Sequence, residues 1–595
     1  MFKLFRFLKP YWWQVLLLLV TTGAQVYCIL RLPTLMASII NNGIVTQDTN
    51  YIWQNGFIML GLAAFSAVCA LFTSMLSARI GANFSRDLRA AVFTKVINFS
   101  QSETKDFSTA SLITRTTNDI NQVQQTVTMI LSMLIRAPLF CVISLVMAFK
   151  TAPDMTWIIG VAIITLVILI AIIMSLVVPK FKVFQKLIDK VTLLTRENLT
   201  GLRVIRAFNN EKIEYDKFNK TNNKLTKLLI FIDKILELQD PLINVVFNGT
   251  TLLCAWIGIS LLQKDFAYLG NMTAFAEYVT HLMISILMLS ILLIMLPRAN
   301  VSAGRINEVL KTKTRIHWRK KTNGEPSETP EVEFKNVDFQ YDDAEEKVLS
   351  NISFTAKAGK TTAFIGSTGS GKSTLINLVP RFYEVTSGSI LIDGVDIKEY
   401  SKDDLISRIG FVPQRGVLFS GTVKSNIAFG APNATEEDIE QAARISQSEE
   451  FIKKLPKAYN ASISQGGTNV SGGQKQRLSI ARAICKKPEI FVFDDSFSAL
   501  DMKTDQKLRK ALKEVTGNSV VLIVAQRINT IKDADQIIVL DKGKIVGKGQ
   551  HYNLLRDCPI YNEIVKSQLH ETEYEKEMKI AYEKLNGEEA HARTA

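Results

Sequence analysis

Six long apolar runs occupy the first half of the chain: residues 12–40, 52–78, 126–149, 156–178, 241–262 and 272–296. Each meets or exceeds the roughly 20 residues a helix needs to cross a bilayer core. The run 156–178 contains no Asp, Glu, Lys or Arg. Buried helices of soluble proteins average about 11–12 residues and are rarely apolar on every face, so a large soluble core does not account for six such runs. Composition agrees, because 47% hydrophobic and 21% charged residues exclude a disordered chain. Cys28, Cys69, Cys141 and Cys254 lie within apolar stretches, Cys485 and Cys558 are isolated, and no CxxC pair occurs. Neither a disulfide framework nor a cysteine-based zinc site is expected.

The basic residues between the runs give an orientation. Lys3, Arg6 and Lys9 precede the first run, and 41–51 carries no Lys or Arg. The segment 79–125 holds Arg79, Arg86, Arg89, Lys95, Lys105 and Arg115, and 179–239 is basic from Lys180 through Arg196, Arg203, Arg206 and Lys217 to Lys234. The links on the other side carry only Lys150 near Asp154, and Lys264 beside Asp265 in 263–271. Positive charge concentrates on the cytoplasmic side, so both termini and the loops 79–125 and 179–239 are expected there, in a multi-pass protein of the cell membrane. The net charge of +14 then reads as topology and attraction to the lipid bilayer's anionic head groups, with no nucleic acid partner. Phe2–Tyr11 is basic and aromatic and no small-residue cleavage site follows, which predicts an interfacial helix and not a cleaved signal peptide.

Beyond a polar linker containing Asn323-Gly324-Glu325-Pro326, strands alternate with helical stretches, the pattern of an α/β domain. The expected division is a membrane domain over 1–310, a linker over 311–329, an α/β domain over 330–569 and a charged tail over 570–595, solvated or disordered. Within the α/β domain, Gly366-Ser367-Thr368-Gly369-Ser370-Gly371-Lys372-Ser373-Thr374 follows an apolar strand and opens a helix. Glycines at this spacing let successive backbone N–H groups turn toward phosphate oxygens, and the helix start adds partial positive charge. Lys372 can reach the outer phosphates and Ser373 can ligate Mg²⁺. The strand 490–493 ends in Asp494, a carboxylate able to hold the metal through water. A second anion-facing helix start, Ser471-Gly472-Gly473-Gln474, offers an N-cap hydroxyl and free N–H groups.

Together these residues resemble a half-transporter of the ABC exporter type: an α-helical six-span membrane domain followed by an α/β P-loop nucleotide-binding domain. The resemblance covers nearly the whole chain. It implies ATP and Mg²⁺ as cofactors, the metal held by Ser373, Gln414 and Asp494, with Gln414 as the Q-loop glutamine. It makes Ser471–Gln474 the signature, Ser498-Ala499-Leu500-Asp501 the D-loop, and Tyr341 the ring that stacks on adenine. It also matches 107–119 (FSTASLITRTTND) and 197–218 (ENLTGLRVIRAFNNEKIEYDKF) to the two intracellular loops with coupling helices, and Ser302-Ala303-Gly304-Arg305-Ile306 to the exit of the sixth span. Two such chains are expected to sandwich ATP between one phosphate loop and the other signature.

Three positions depart from the family pattern. Asp495 stands where a glutamate polarises the attacking water, Gln526 where a histidine contacts the γ-phosphate, and Gln465 where an acidic residue precedes the signature. Asp495 and Gln526 weaken the same catalytic site while the signature is intact. The pattern is similar to the degenerate-site subunit of heterodimeric bacterial multidrug exporters. It implies a second half-transporter as partner, to whose active site this chain contributes Ser471, Gly472 and Gly473. A homodimer with two slow sites is the alternative. The spans, rich in Phe, Met, Leu and Ile, suit hydrophobic or amphipathic small molecules. Arg31, Arg136, Glu277 and His281 are candidates for the substrate path, because charge inside a membrane is costly. Arg136-Ala137-Pro138 also reads as a helix kink, and Glu277 with His281 as a polar gate. A dedicated lipid or peptide exporter, or a regulatory ATP-binding subunit that gates a partner, are the other readings.

Overall fold

A computed structural model describes residues 1–262, 268–325, 327 and 329–592. Lys264 beside Asp265, Pro326 of the linker and the last three residues of the tail lie outside the described residues. The chain divides into two compact units, Met1–Ile97 with Ala110–Thr312, and Asn98–Thr109 with the chain from Lys313 onward.

In the first unit, among the described residues, six helices are long and apolar enough to cross a membrane: Lys3–Ile44, Thr49–Ile97, Thr109–Thr151, Pro153–Thr200, Glu211–Ile259 and Leu269–Lys311. Each overlaps one of the six apolar runs. At 1.5 Å per residue they reach roughly 60–75 Å, about twice the hydrocarbon thickness. Much of 79–125 and 179–239, expected as loops, is therefore helix that continues past the apolar runs: Thr49–Ile97, Thr156–Thr200 and Glu211–Glu237. The continuation persists because these stretches keep buried apolar positions on a polar background; in Glu211–Glu237 these are Leu225 and Ile232, seven residues apart.

A π-turn at Ile130–Leu134 interrupts the third helix, and a new helix starts at Arg136. Pro138 consequently sits in a first turn, where its missing N–H costs little. Val26, Leu30, Phe140, Ile159, Phe275, Tyr278 and Leu282 form the buried core of this unit. The opposite faces are apolar and open, with Trp256 75% exposed, as a lipid-facing surface requires. Polar contacts join the third and sixth helices where the bilayer segments end. Ser302 Oγ donates to the buried Asp119 Oδ1 at 2.8 Å. Arg115 Nη1 donates to Arg305 O at 3.0 Å and to Glu308 Oε2 at 2.7 Å.

The second unit contains, among the described residues, twelve strands: β1 (Glu331–Phe339), β2 (Leu349–Lys357), β3 (Thr361–Gly366), β4 (Ser387–Ile392), β5 (Val395–Asp396), β6 (Ile409–Val412), β7 (Gly421–Thr422), β8 (Ser462–Ile463), β9 (Ile490–Asp494), β10 (Val520–Val524), β11 (Gln536–Asp541) and β12 (Lys544–Gly549). One sheet runs β12-β11-β3-β10-β9-β6, a smaller antiparallel sheet runs β2-β1-β4-β5, and β7 pairs with β8. Every residue of β9 and β10 is buried, which is why β10 and Ile490–Phe493 of β9 read as apolar runs. Parallel strands covered on both faces have no polar side. β3, β10 and β9 are adjacent and parallel, so their carboxyl ends bring the phosphate loop, Gln526 and the two aspartates to one edge.

The charged tail is a helix, Glu571–Ala592, and its first half is docked instead of solvated. Tyr574, Met578 and Ala581 pack on the nucleotide-domain core at helical spacing. Tyr574 donates to Asn562 Oδ1 at 2.6 Å. His551, 3% exposed, shares a hydrogen bond of 2.7 Å with the Tyr561 hydroxyl, and its Nε2 lies 3.6 Å from Glu577. Burial holds the His551 imidazole below its usual range, against the pull of the Glu577 charge. Below about pH 6.5 the unfolded chain then binds a proton that the native chain refuses, so stability falls as pH drops through that value. Thermal unfolding of the full chain should shift to lower temperature between pH 7 and pH 5.5. His551→Gln should flatten that slope, and an unchanged slope in the variant would contradict this assignment.

Candidate nucleotide site and intramembrane charges

The phosphate loop leaves β3 at Gly366 and enters the helix Lys372–Leu378. Gly371 precedes that helix at φ +95°, where an added Cβ would lie 2.7 Å from Leu349 Cδ2. A Cβ at Gly366 would lie 2.0 Å from Leu540 O. Only glycine fits these two positions, and their backbones can close on phosphate.

Lys372 is buried, and its Nζ donates to Gly366 O at 2.9 Å and Ser367 O at 2.7 Å. Burial lowers the affinity of this amine for its proton, while the charges of Asp495 and Asp494 oppose that shift. A phosphate can supply stronger acceptors than these carbonyls. Ser373 Oγ donates to Asp494 Oδ1 at 2.8 Å. Hydroxyl and carboxylate oxygens placed together form the hard donor set that Mg²⁺ takes alongside phosphate and water. Burial raises the Asp494 carboxyl, and the Ser373 hydrogen bond pulls it back. ATP and Mg²⁺ thus fit the residues present. The flanking residues Thr368, Gly369 and Ser370 complete the loop, and Thr374 Oγ1 bonds the Tyr341 hydroxyl at 3.0 Å.

Asp495 takes a left-handed backbone at φ +45°, a conformation aspartate tolerates better than most residues. Its Oδ2 accepts Gln526 Nε2 at 2.9 Å and Gln414 Nε2 at 3.4 Å. Burial raises this carboxyl, with the Gln414 amide opposing. Ser498 Oγ donates to Asp495 O at 2.9 Å, and Asp501 caps the helix Met502–Val515 through Thr504 N at 3.0 Å. The three residues Gln414, Asp495 and Gln526 are therefore in direct contact.

The signature residues stand apart from that group. Ser471 Oγ accepts Gln474 N at 3.3 Å while Gln474 Oε1 accepts Ser471 N at 2.9 Å, a reciprocal cap on the helix Gly472–Cys485. Its neighbour is the D-loop, since a Cβ on Gly473 would lie 3.3 Å from Ala499 O. Among the described residues no hydrogen bond or ion pair joins Ser471–Gln474 to the phosphate loop.

From the sequence, Lys105 counts only as one of the basic residues of 79–125. The helix Gln101–Phe107 belongs to the second unit, where Lys105 Nζ pairs with Asp343 Oδ2 at 2.7 Å and lies 5.5 Å over the Tyr341 ring. A lysine more than 230 positions away in sequence gives no local signal of this contact. Tyr341 also packs edge-on against Phe339 and Tyr383.

In the membrane unit, Arg136 lies over the Phe140 ring at 5.2 Å and His281 stacks on that ring at 5.5 Å. Among the described residues Arg136 takes part in no ion pair or hydrogen bond, and its buried Nε lacks an acceptor. Glu277 and Arg31 are exposed on their helices. Phe140 is thus the ring on which Arg136 and His281 meet.

A phosphate-loop α/β unit on one chain with six membrane-length helices is the build of an ATP-driven permease. The family comparisons agree: residues 15–287 match the ABC transporter transmembrane region and residues 349–498 the ABC transporter family. An ABC transporter ATP-binding protein of Mycobacterium bovis is 39% identical over 94% of this chain and 97% of its own length. YfiB of Bacillus subtilis, another ABC transporter ATP-binding protein, is 36% identical over 95% of this chain and 98% of its own. The ATP-dependent lipid A-core flippase of Desulfotalea psychrophila is 30% identical over 90% of this chain and 92% of its own. The fold is also that of a bacterial Atm1-family ABC exporter solved with ATP bound, with TM-score 0.77 and 23% identity over 95% of this chain and 99% of that one. The chain belongs to the ABC transporter family and combines the permease and the ATP-binding domain of an exporter.

If Ser373 holds the metal, its loss removes only the Mg²⁺-dependent part of ATP affinity. In Ser373→Ala, the gain in ATP affinity on adding Mg²⁺ should shrink about tenfold, the worth of one hydrogen bond to a charged group. Binding in EDTA should match the wild type. Equal losses with and without Mg²⁺ in a nucleotide titration would remove Ser373 from the metal site.

Proposed function

We propose that this chain is one half of a heterodimeric bacterial ABC exporter whose own ATP site binds nucleotide and hydrolyses it slowly, while its signature completes the partner's competent site. The supporting observation is the contact of Gln526 Nε2 with Asp495 Oδ2 at 2.9 Å. Two residues that depart from the family pattern engage each other where a base and a γ-phosphate contact are needed. Asp is shorter than Glu by one C–C bond, about 1.5 Å. A displacement of about 1 Å can cost on the order of a hundredfold in rate, or about 2.7 kcal/mol of barrier.

In this reading Lys372 and the loop N–H groups hold the phosphates, Tyr341 the adenine, and Ser373, Asp494 and Gln414 the metal. Mg²⁺, when bound, neutralises charge on the β- and γ-oxygens. ATP at both sites draws the nucleotide domains together and favours the outward-facing membrane unit. Hydrolysis at the partner's site releases them, and ATP retained on this chain biases the pair toward contact. Both termini face the cytoplasm, and the cargo is hydrophobic or amphipathic.

One observation favours a narrower cargo, an amphiphile or lipid with an anionic group: the unpaired Arg136 on the third helix. The relative named as a lipid A-core flippase points the same way. Arg136→Gln should lower efflux of an anionic amphipathic dye at least fivefold and that of a neutral dye less than twofold. Equal effects on both dyes would reject the narrower cargo.

Co-expression with a second half-transporter should be required for brisk ATPase activity and efflux, and Ser471→Ala should reduce both sharply. If the partner carries the competent site but no compound is moved, the chain acts as a gating subunit. In the chain purified alone, Asp495→Glu combined with Gln526→His should raise ATP turnover at least tenfold over wild type. Brisk turnover by the unaltered chain alone would overturn the slow-site reading.

A further inference from the structure

The turn that carries Gln526 is bonded from outside the site by the side chain of Gln568. Gln568, the last residue of the helix Pro559–Gln568, uses both ends of its amide on this turn. Its Oε1 accepts Ile528 N–H at 2.9 Å, and its Nε2 donates to Gln526 O at 2.7 Å. Ile528 opens the short helix Ile528–Ile531, whose N-cap residue Arg527 makes no side-chain cap bond. The first N–H groups of a helix have no partner within it, so Gln568 acts as the missing cap, supplied by another helix.

Elsewhere the turn's backbone is tied by Ala525 N donating to Phe364 O at 3.2 Å and by Thr530 N donating to Arg527 O at 3.1 Å. Without Gln568 the Ile528 N–H loses its external acceptor, and the carbonyl of the peptide that follows Gln526 loses its external donor. The Gln526 side chain projects from that peptide toward Asp495. The helix carrying Gln568 is itself anchored. Asn562 Nδ2 donates to Leu555 O at 2.7 Å, Tyr574 donates to Asn562, and Tyr561 is bonded to buried His551. A chain of fixed groups therefore runs from the docked C-terminal helix to the edge of the ATP site.

We propose that Gln568 is a positioning residue for this chain's ATP site: by clamping the turn 526–528 it aims the Gln526 amide at Asp495. The proposal rests on the reading of Gln526 and Asp495 as part of that site. A surface glutamine that merely ties two segments together would lower stability without acting through Gln526, and a mutant cycle separates the two cases.

The test uses the full chain in lipid nanodiscs with Mg-ATP, comparing Gln568→Leu, Gln526→Ala, the double variant and wild type in single-turnover hydrolysis. Gln568→Leu should leave the KM for Mg-ATP within twofold and lower the hydrolysis rate about tenfold. In the Gln526→Ala background the same change should have no further effect. Amide hydrogen exchange over 526–530 in the Mg-ATP-bound chain should quicken at least tenfold in Gln568→Leu, a readout independent of turnover. Unchanged exchange, or rate losses that multiply in the double variant, would overturn the proposal. Brisk turnover by the wild-type chain would refute the slow-site reading alone, because the variant-to-wild-type ratios would still be readable.

Discussion

The carboxylate of Asp495 accepts amide hydrogen bonds from Gln526 and Gln414 at the end of a strand buried on both faces. Its location follows from the sheet. β10 and the first four residues of β9 are apolar because both strands are buried, and their parallel register with β3 delivers Asp494, Asp495 and Gln526 beside the phosphate loop. Burial raises both carboxyls and disfavours the charge on Lys372. The charge of Lys372 and the hydrogen bonds from Ser373 and Gln414 oppose the rise of the carboxyls, while the charge of Asp495 adds to that of Asp494. Asp495 is shorter than a glutamate by one C–C bond and is already engaged by two amides.

The membrane unit obeys a different constraint. Hydrocarbon offers backbone groups no partner, so each crossing must be helical, and helices that long continue naturally beyond the bilayer. The polar set of Asp119, Ser302, Arg115 and Glu308 lies on those continuations, where the buried Ser302–Asp119 hydrogen bond and the exposed Arg115–Glu308 ion pair join the third and sixth helices. Within the apolar part, the stack of Arg136, Phe140 and His281 places cationic character on the core of the unit. Charge without an ion-pair partner there is expensive to maintain.

The parts legible in the sequence are those written in short contiguous patterns. The six apolar runs showed as hydropathy, and 366–374 as one glycine-rich loop between a strand and a helix. Asp495 and Gln526 showed as departures from a family pattern, although their hydrogen bond did not. What stayed hidden depends on residues distant in sequence. Lys105 reaches Asp343 and Tyr341 across more than two hundred positions, and Gln568 caps a helix forty residues earlier. The docked tail was masked by composition, because Tyr574, Met578 and Ala581 are three apolar positions among many charges. The helical extensions beyond the bilayer were masked in the same way, with apolar positions too sparse for a hydropathy reading.

The central claim is that ATP bound against Lys372 stays intact while the opposite site turns over. It is tested most directly by following radiolabelled ATP in the co-expressed assembly after the partner's phosphate-loop lysine has been replaced. The account predicts that nucleotide remains bound to this chain as ATP over many turnover times of the unaltered assembly, with little phosphate released. Phosphate appearing at a rate close to that of the unaltered assembly would contradict it.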